Sequence, residues 1–519
     1  MTEPKLFPRG CVASPHYLAS SAGLAVLASG GNALDAAIAT NLTLGVVTPY
    51  LCGYGGDLFA LVWDGSLHAY NGSGRAPAAA TVEAVRAAAG TDVMPALGPH
   101  AVTVPGAVEA WFALLDQFGT RSFADLAQTA LRYASDGFQL SARGAASIVA
   151  SRAAYTQDFA ADWRAVYGNA GPQDVLRQPD LARTIRTLCD GGPDAYYRGE
   201  IAAAIADTVQ RHGGLLQEPD LASHTGEWVE PMSTTYRGHE IVELPPNTQG
   251  VTVLEALNVF ESLDEPGEAE SLHRHHLLIE SMKLALHDRE AHVTDPRHMT
   301  VPAATLGSKE RARDRAGEVD PVSARKLVPG SAAGGGTVYL CAADESGMCV
   351  SLIQSNYMGF GSAVTVPGWG INLHNRGAFF SLDPTHVNAM APGKRTMHTL
   401  IPAMVMRAGR PAIVFGTMGG DGQAQTHLQL LTRILDDGLD VQAAIDAPRW
   451  MVSPRDWTVS AESRFDAGVV DGLRARGHEV RLGAAFDARV AGHAHAIAVT
   501  PAGYAAATDP RAEGAAIGL

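Results

Sequence analysis

The residues of this 519-residue sequence with the clearest chemical potential are Gly334, Gly335, Gly336 and Thr337. A glycine run ends there on a threonine that opens an apolar, strand-like stretch. A hydroxyl in that place can attack the carbonyl carbon of Gly336 if the backbone bends far enough, and glycines permit this at little steric cost. Acyl transfer to oxygen followed by hydrolysis would cut the chain between Gly336 and Thr337. Thr337 would then carry a free α-amine, of reference pKa roughly 7.7 to 8.0, able to act as base for its own hydroxyl. A glycine-rich loop ahead of a strand is also an ordinary connection, so the pattern alone leaves both readings open.

Periodicity outlines the elements that must position this threonine. Helices are predicted over 17–28 and, capped by Asn32, from 32 to about 46. A backbone-permissive loop, Gly53-Tyr54-Gly55-Gly56-Asp57, follows. Strands 58–63 and 67–70 then form a hairpin. Residues 80–225 are alanine-rich and mostly helical, with breaks at Gly137, at 168–171 and at Gly191-Gly192. A strand is predicted over 240–244, a helix over 251–260 and a long amphipathic helix over 273–292. From 321 to 336 periodicity disappears, which reads as an exposed, flexible segment. Strands 337–343 and 348–355 follow as a hairpin across Asp344-Glu345-Ser346-Gly347. Further strands are predicted over 400–406, 411–415, 479–482 and 495–499, with a helix over 425–436.

Composition narrows the function. The net charge of -15 leaves no excess of Lys and Arg to neutralise phosphates, which argues against a nucleic-acid binder. No apolar run reaches the roughly 20 residues needed to span a bilayer. The first residues lack a charged-then-apolar leader pattern. The five cysteines have no CxxC spacing, so neither a disulfide framework nor a zinc ribbon is indicated. These features lead to the expectation of a reduced, cytoplasmic protein with no membrane partner.

Ordered motifs along the chain resemble the γ-glutamyltransferase family (γ-glutamyltranspeptidases, or glutathione hydrolases). They include Ala13-Ser14-Pro15-His16, Gly30-Gly31-Asn32-Ala33-Leu34-Asp35, the Gly53–Gly56 loop and Pro245-Pro246-Asn247-Thr248-Gln249-Gly250. After Thr337 the likeness continues through Phe360-Gly361-Ser362, Pro392-Gly393-Lys394-Arg395, Gly419-Gly420 and Asp509-Pro510-Arg511. The resemblance implies an α+β fold, the four-layer αββα sandwich of N-terminal-nucleophile hydrolases. It implies cleavage into a large subunit, 1–336, and a small subunit, 337–519, that together make one sandwich. A single heterodimer and a dimer of heterodimers are both left open. By the same resemblance Thr337 is the nucleophile and Ser355 supplies the hydroxyl that bonds to it. Gly419 and Gly420 form the oxyanion hole, whose donors are worth about 3 to 4 kcal/mol each in the transition state. No cofactor and no metal are implied.

Departures from the family gather where it holds the γ-glutamyl head group. The position of the arginine that pairs with the α-carboxylate is Ser73, with Arg75 two residues away. The acidic residue that holds the α-ammonium is replaced by Phe379, and an adjacent family glutamine is Arg376. Tyr357 stands at an asparagine position, and His398 and Thr399 stand where the family has paired serines. A site that loses an ammonium's carboxylate and gains Arg376 should bind an anion without an α-amine, because an ammonium against Phe379 would be buried unpaired. The altered set is similar to the branch of the family that includes oxamate amidohydrolase. The expected substrate is therefore a small carboxylate amide, held by Arg75, Ser73, Tyr357, Arg376, His398 and Thr399.

Other readings are weaker. A γ-glutamyl hydrolase or transpeptidase would need the missing carboxylate. An uncleaved binding protein on the same scaffold would have no use for Thr337, Ser355 and the two glycines together. His273, His275, His276, Glu280, His287 and His292 invite a metal reading, but they fall on a family helix that holds none; Asp288-Arg289 there reads as a buried ion pair. Ser73 lacks the GxSxG context of a serine hydrolase, and no Walker or dinucleotide motif is present.

Overall fold

Alternate residues of the strand Gly336–Ala343 enter two different cores. Val338, Leu340 and Ala342 pack among helices, whereas Tyr339, Cys341 and Ala343 pack towards a second sheet. The strand Asp57–Trp63 divides likewise, with Leu58, Ala60 and Val62 on the helix side and Phe59 and Leu61 between the sheets. Across that interface, Met404 and Met406 of Ala403–Arg407 face the first sheet, while Ala403 and Val405 face a second set of helices. This is the two-residue period of strands buried on both faces, and it builds the expected α+β sandwich of helices, sheet, sheet and helices. The computed structural model describes residues 3–327 and 336–519. Gly334 and Gly335 lie outside the described residues.

Each sheet has seven antiparallel strands. The first runs Ala515–Gly518, Cys11–Ser14, Gly336–Ala343, Cys349–Tyr357, Asp57–Trp63, Leu67–Asn71, Glu227–Val229. The second runs Lys5–Phe7, Gly503–Thr508, Ala494–Thr500, Arg410–Thr417, Ala403–Arg407, His239–Glu243, Met232–Tyr236. Both sheets draw strands from either side of residue 337, so the two expected subunits share one core.

Tyr17–Ala28 and Ala33–Val47 cover the first sheet. Asn32 caps the second of these through a reciprocal pair of bonds with Asp35 of 2.8 and 3.0 Å. Gly250–Glu261 and Gly422–Leu435 pack on the second sheet, with Leu272–His292 against both.

The break expected at Gly191-Gly192 is present: Gly192, at φ 60° and ψ -156°, leaves the helical region and divides Pro179–Tyr197 into two helical pieces. The structure corrects several other expectations. Leu272–His292 is not amphipathic but buried around most of its circumference. Its charged positions tolerate burial because they are paired, Glu280 with Lys283 at 2.8 Å and Asp288 with Arg311 and Arg315. Asp288 and Arg289 therefore do not pair with each other; Arg289 reaches Asp421 at 2.8 Å. The segment after 320 is held in part, since Ala324 donates to the Arg476 carbonyl at 2.6 Å and Arg325 N to Glu280 at 3.0 Å. Val480–Gly483 belongs to a separate three-stranded sheet with Trp450–Val452 and Val459–Glu462. The strands Cys11–Ser14, Met232–Tyr236, Gly503–Thr508 and Ala515–Gly518 were not foreseen, being short or alanine-rich.

One ionic knot closes the end of the sandwich. Fully buried Asp509 accepts from Arg449, from Ala494 N at 2.7 Å and from Arg511 Nη1 at 3.0 Å, and Arg511 also reaches Glu462 at 2.6 Å. Burial alone would raise the Asp509 pKa, but the two guanidiniums and the backbone donors bring it down to about 2. A depressed carboxyl contributes stability above its unfolded value and loses it as pH falls towards its folded one. Asp509→Asn is therefore expected to cost about 3 kcal/mol or more in denaturant unfolding at pH 7, and the difference from wild type should shrink between pH 3.8 and about 2. A pH-independent difference would show that the charge is not what matters.

Candidate active site

Thr337 lies at an irregular step in the ladder. Gly336 opposes Tyr357 and Val338 opposes Gln354, so the single residue between them, Thr337, faces two on the other strand, Ser355 and Asn356. Such bulges re-aim a side chain beside the ladder. Here the step brings the buried Thr337 hydroxyl to 3.2 Å from Ser355 Oγ, to which it donates. Ser355 Oγ also accepts from Tyr357 N at 2.7 Å and donates to the Gly336 carbonyl oxygen at 2.5 Å. A serine hydroxyl has one proton to give and two lone pairs, and all three are in use. The hydroxyl of Ser355 thus joins the Thr337 hydroxyl to the carbonyl of the Gly336–Thr337 bond.

Gly419 and Gly420 follow directly from the strand Arg410–Thr417 and precede the helix Gly422–Leu435. Their φ angles of 133° and 58° belong to the left-handed side that favours glycine. Gly420 is anchored by its carbonyl, which accepts from Gln423 N and Gln249 Nε2, both at 3.1 Å.

The six expected substrate residues divide into two groups. Tyr357, Arg376 and Thr399 come together. The Arg376 guanidinium lies 4.0 Å from the Tyr357 ring centre, and its Nη1 reaches Thr399 Oγ1 at 3.4 Å. Arg376 is buried, yet among the described residues its Nε and Nη2 have no hydrogen-bond partner, and neither does the buried Tyr357 hydroxyl. Burial brings the Arg376 pKa down to about 10, which leaves it charged at neutral pH. Phe379 packs beside this group, its ring centre 5.7 Å from that of Tyr357.

Ser73, Arg75 and His398 serve other contacts. Ser73 Oγ donates to Asn71 Oδ1 at 2.7 Å and accepts from Asn247 Nδ2 at 3.3 Å, and its carbonyl accepts from Arg395 at 2.9 Å. Arg75 pairs with Glu227 at 2.5 Å and lies 3.5 Å from Asp295. Arg75, expected among the substrate-binding residues, thus has its guanidinium engaged by two carboxylates that it shares with Arg395 and Arg297. His398 Nε2 contacts the buried Asp57 carboxylate at 3.2 Å, and His374 Nδ1 lies 3.4 Å from the same oxygen. Burial would raise the Asp57 carboxyl, but the two imidazoles hold it below the ordinary range. Burial, reinforced by the nearby Arg376 charge, lowers His398 to about 3. His398 is thus a neutral brace for the loop carrying Thr399.

Sequence reasoning missed Asp57 and Gln249 as organisers of the site, although Gln249 stands in a motif that carries the resemblance and Asp57 directly follows another. His276 and Glu280 of the long helix come close enough to His478 to suggest a metal site. Each is already engaged: His276 with His478 and with the Asp320 carbonyl, both at 2.8 Å, and Glu280 with the Lys283 ammonium. An ammonium in direct contact with the carboxylate opposes a cation there. No helix among the described residues is long and apolar enough to cross a membrane.

The neutral state of His398 is testable. Its ring signals should not move between pH 8 and pH 5 in an NMR titration, because its pKa lies near 3; a midpoint near 6 would mean that burial does not govern this imidazole.

Comparison with known proteins agrees with the fold. The gamma-glutamyltranspeptidase family model matches residues 19–519. The glutathione hydrolase-like YwrD proenzyme of Bacillus subtilis is 39% identical, with 98% of each chain covered. The oxamate amidohydrolase proenzyme of Klebsiella pneumoniae is 37% identical over the same shares. The crystal structure of cephalosporin acylase from Bacillus halodurans superposes with a TM-score of 0.94 at 40% identity, covering 100% of this chain and 97% of that one. Matched along nearly its whole length, the chain is a hydrolytic enzyme of the gamma-glutamyltranspeptidase family.

Proposed function

We propose that this protein is a self-cleaving threonine amidohydrolase whose substrate is a small amide bearing a carboxylate, of the oxamate type. The observation that carries this reading is Arg376, a buried charged guanidinium with two N–H groups unpartnered and an unpartnered Tyr357 hydroxyl beside it. An uncompensated buried charge is costly, and a bound carboxylate removes that cost through charge-assisted hydrogen bonds. An α-ammonium has no comparable invitation beside Phe379.

Self-cleavage follows from the hydroxyl chain. The Thr337 oxygen attacks the Gly336 carbonyl carbon. Its proton passes to Ser355 Oγ as the Ser355 proton passes to the carbonyl oxygen. As the tetrahedral centre collapses, the proton on the former carbonyl oxygen passes to the Thr337 nitrogen, the C–N bond breaks and the amine is freed, leaving an ester that water hydrolyses. This divides the chain into 1–336 and 337–519. In turnover the freed amine takes the proton from the Thr337 hydroxyl, which attacks the substrate amide while the N–H groups of Gly419 and Gly420 receive the oxyanion. Ammonia or an amine departs, and water releases the acid.

The similar proteins support the reaction class and differ in what their names say they act on: glutathione, oxamate and a cephalosporin. Arg376 favours the small anion among these.

Intact-mass measurement should find two fragments divided between Gly336 and Thr337, with Thr337→Ala uncut and Ser355→Ala cut more slowly. An uncut wild-type chain would instead favour a binding protein on this scaffold. With oxamate as substrate, Arg376→Met should lower kcat/KM about 100-fold, the equivalent of losing charged hydrogen bonds worth roughly 1.5 to 3 kcal/mol each. Faster turnover of a γ-glutamyl anilide than of oxamate would refute the carboxylate-amide reading.

A further inference from the structure

The site has two parts, the anion pocket around Arg376 and Thr399 and the glycine loop at Gly419-Gly420. One fully buried side chain connects them. Gln249 Nε2 donates to the Thr399 carbonyl at 2.9 Å and to the Gly420 carbonyl at 3.1 Å. Its Oε1 accepts from Arg289 Nη1 at 2.6 Å, and that same nitrogen donates to Asp421 Oδ1 at 2.8 Å. Gln249 N also donates to the His398 carbonyl at 2.9 Å.

These partners allow the amide only one orientation. A flipped carboxamide would set its oxygen against two carbonyl oxygens and its NH2 against a guanidinium, losing every bond at once. Arg289, itself buried and also paired with Glu290 at 2.6 Å, fixes that orientation from behind. Thr399 meets Arg376 through its hydroxyl and Gln249 through its carbonyl. Movement of the anion pocket is therefore passed to the peptide that follows Gly420. Gln249 and Arg289 precede residue 337, whereas Thr399, Gly420 and Asp421 follow it, so the tether crosses the expected subunit boundary.

We propose that Gln249 is a positioning residue, oriented by Arg289, that sets the Gly419-Gly420 loop relative to the Arg376–Thr399 pocket. It touches neither substrate nor nucleophile and acts through the two carbonyls it holds. The proposal rests on the reading above that these two parts bind the oxyanion and the carboxylate.

The test uses the self-cleaved enzyme and the amide it turns over fastest among oxamate and a γ-glutamyl anilide. Gln249→Glu keeps the shape but faces carboxylate oxygens to two carbonyls; Gln249→Met removes the donors without adding charge. Either variant, folded by circular dichroism, should lose about 100-fold in kcat, the size of effect seen when an oxyanion donor is lost, with a much smaller change in KM. A purely structural residue would change thermal stability without this split between kcat and KM. Combined with Gly420→Ala, the loss should stay within about threefold of the poorer single variant, because both act on one loop; independent sites would multiply. A kcat within about threefold of wild type, or multiplicative losses, would overturn the proposal. So would failure of both Gln249 variants to fold, which would make Gln249 a folding residue. Turnover that survives Thr337→Ala overturns the site reading and this proposal together. Turnover that needs Thr337 but ignores Gln249 overturns this proposal alone.

Discussion

The pairing of Gly336–Ala343 with Cys349–Tyr357 is the constraint from which the site follows. These strands lie inside a seven-stranded sheet and are buried on both faces. A one-residue slip would exchange the helix-facing and sheet-facing side chains along each of them, moving Val338 and Leu340 out of one core and Tyr339 and Cys341 out of the other. The register is therefore fixed by two cores at once. With it is fixed the placement of Thr337 next to Ser355 at the irregular end of the ladder.

The second sheet adds what a hydroxyl alone cannot supply. Its strand Arg410–Thr417 ends at Gly419-Gly420, and the residues leading into Ala403–Arg407 carry His398 and Thr399. Because the two sheets share a core, the glycine loop and the anion pocket have a fixed relation to Thr337. Burial then sharpens the chemistry. It keeps His398 neutral, while Asp57 stays below the ordinary carboxylate range and Arg376 stays charged with two N–H groups that have no hydrogen-bond partner among the described residues. Polar groups in such surroundings are either fully satisfied or turned towards a ligand. Ser355 and Gln249 exemplify the first condition, Arg376 and the Tyr357 hydroxyl the second.

Legibility in the sequence followed how local the signal was. The capping box at Asn32, the hairpin at 344–347 and the helix 17–28 rest on neighbours in the chain and were readable. The strand Ala515–Gly518 was not, because its alanines carry no strand preference and it pairs with Cys11–Ser14 at the other end of the chain; Gly503–Thr508 is equally alanine-rich and was missed although it forms a tight hairpin with its neighbour Ala494–Thr500. The long helix misled for a related reason. Its charged residues imitate a solvated face until their partners at Asp421, Arg311 and Arg315 are known.

By itself the sequence determined the threonine after the glycine run, the family resemblance, the sandwich and the exchange of an acidic position for Phe379. Those are properties of residue identity and order. Only the tertiary structure decided that Arg75 is matched by carboxylates while Arg376 is left open, that Ser73 and His398 brace loops, and that Gln249 ties the two parts of the site together. A side chain's availability depends on what else can reach it, and contacts across hundreds of residues are set by the packing of the two sheets rather than by spacing along the chain.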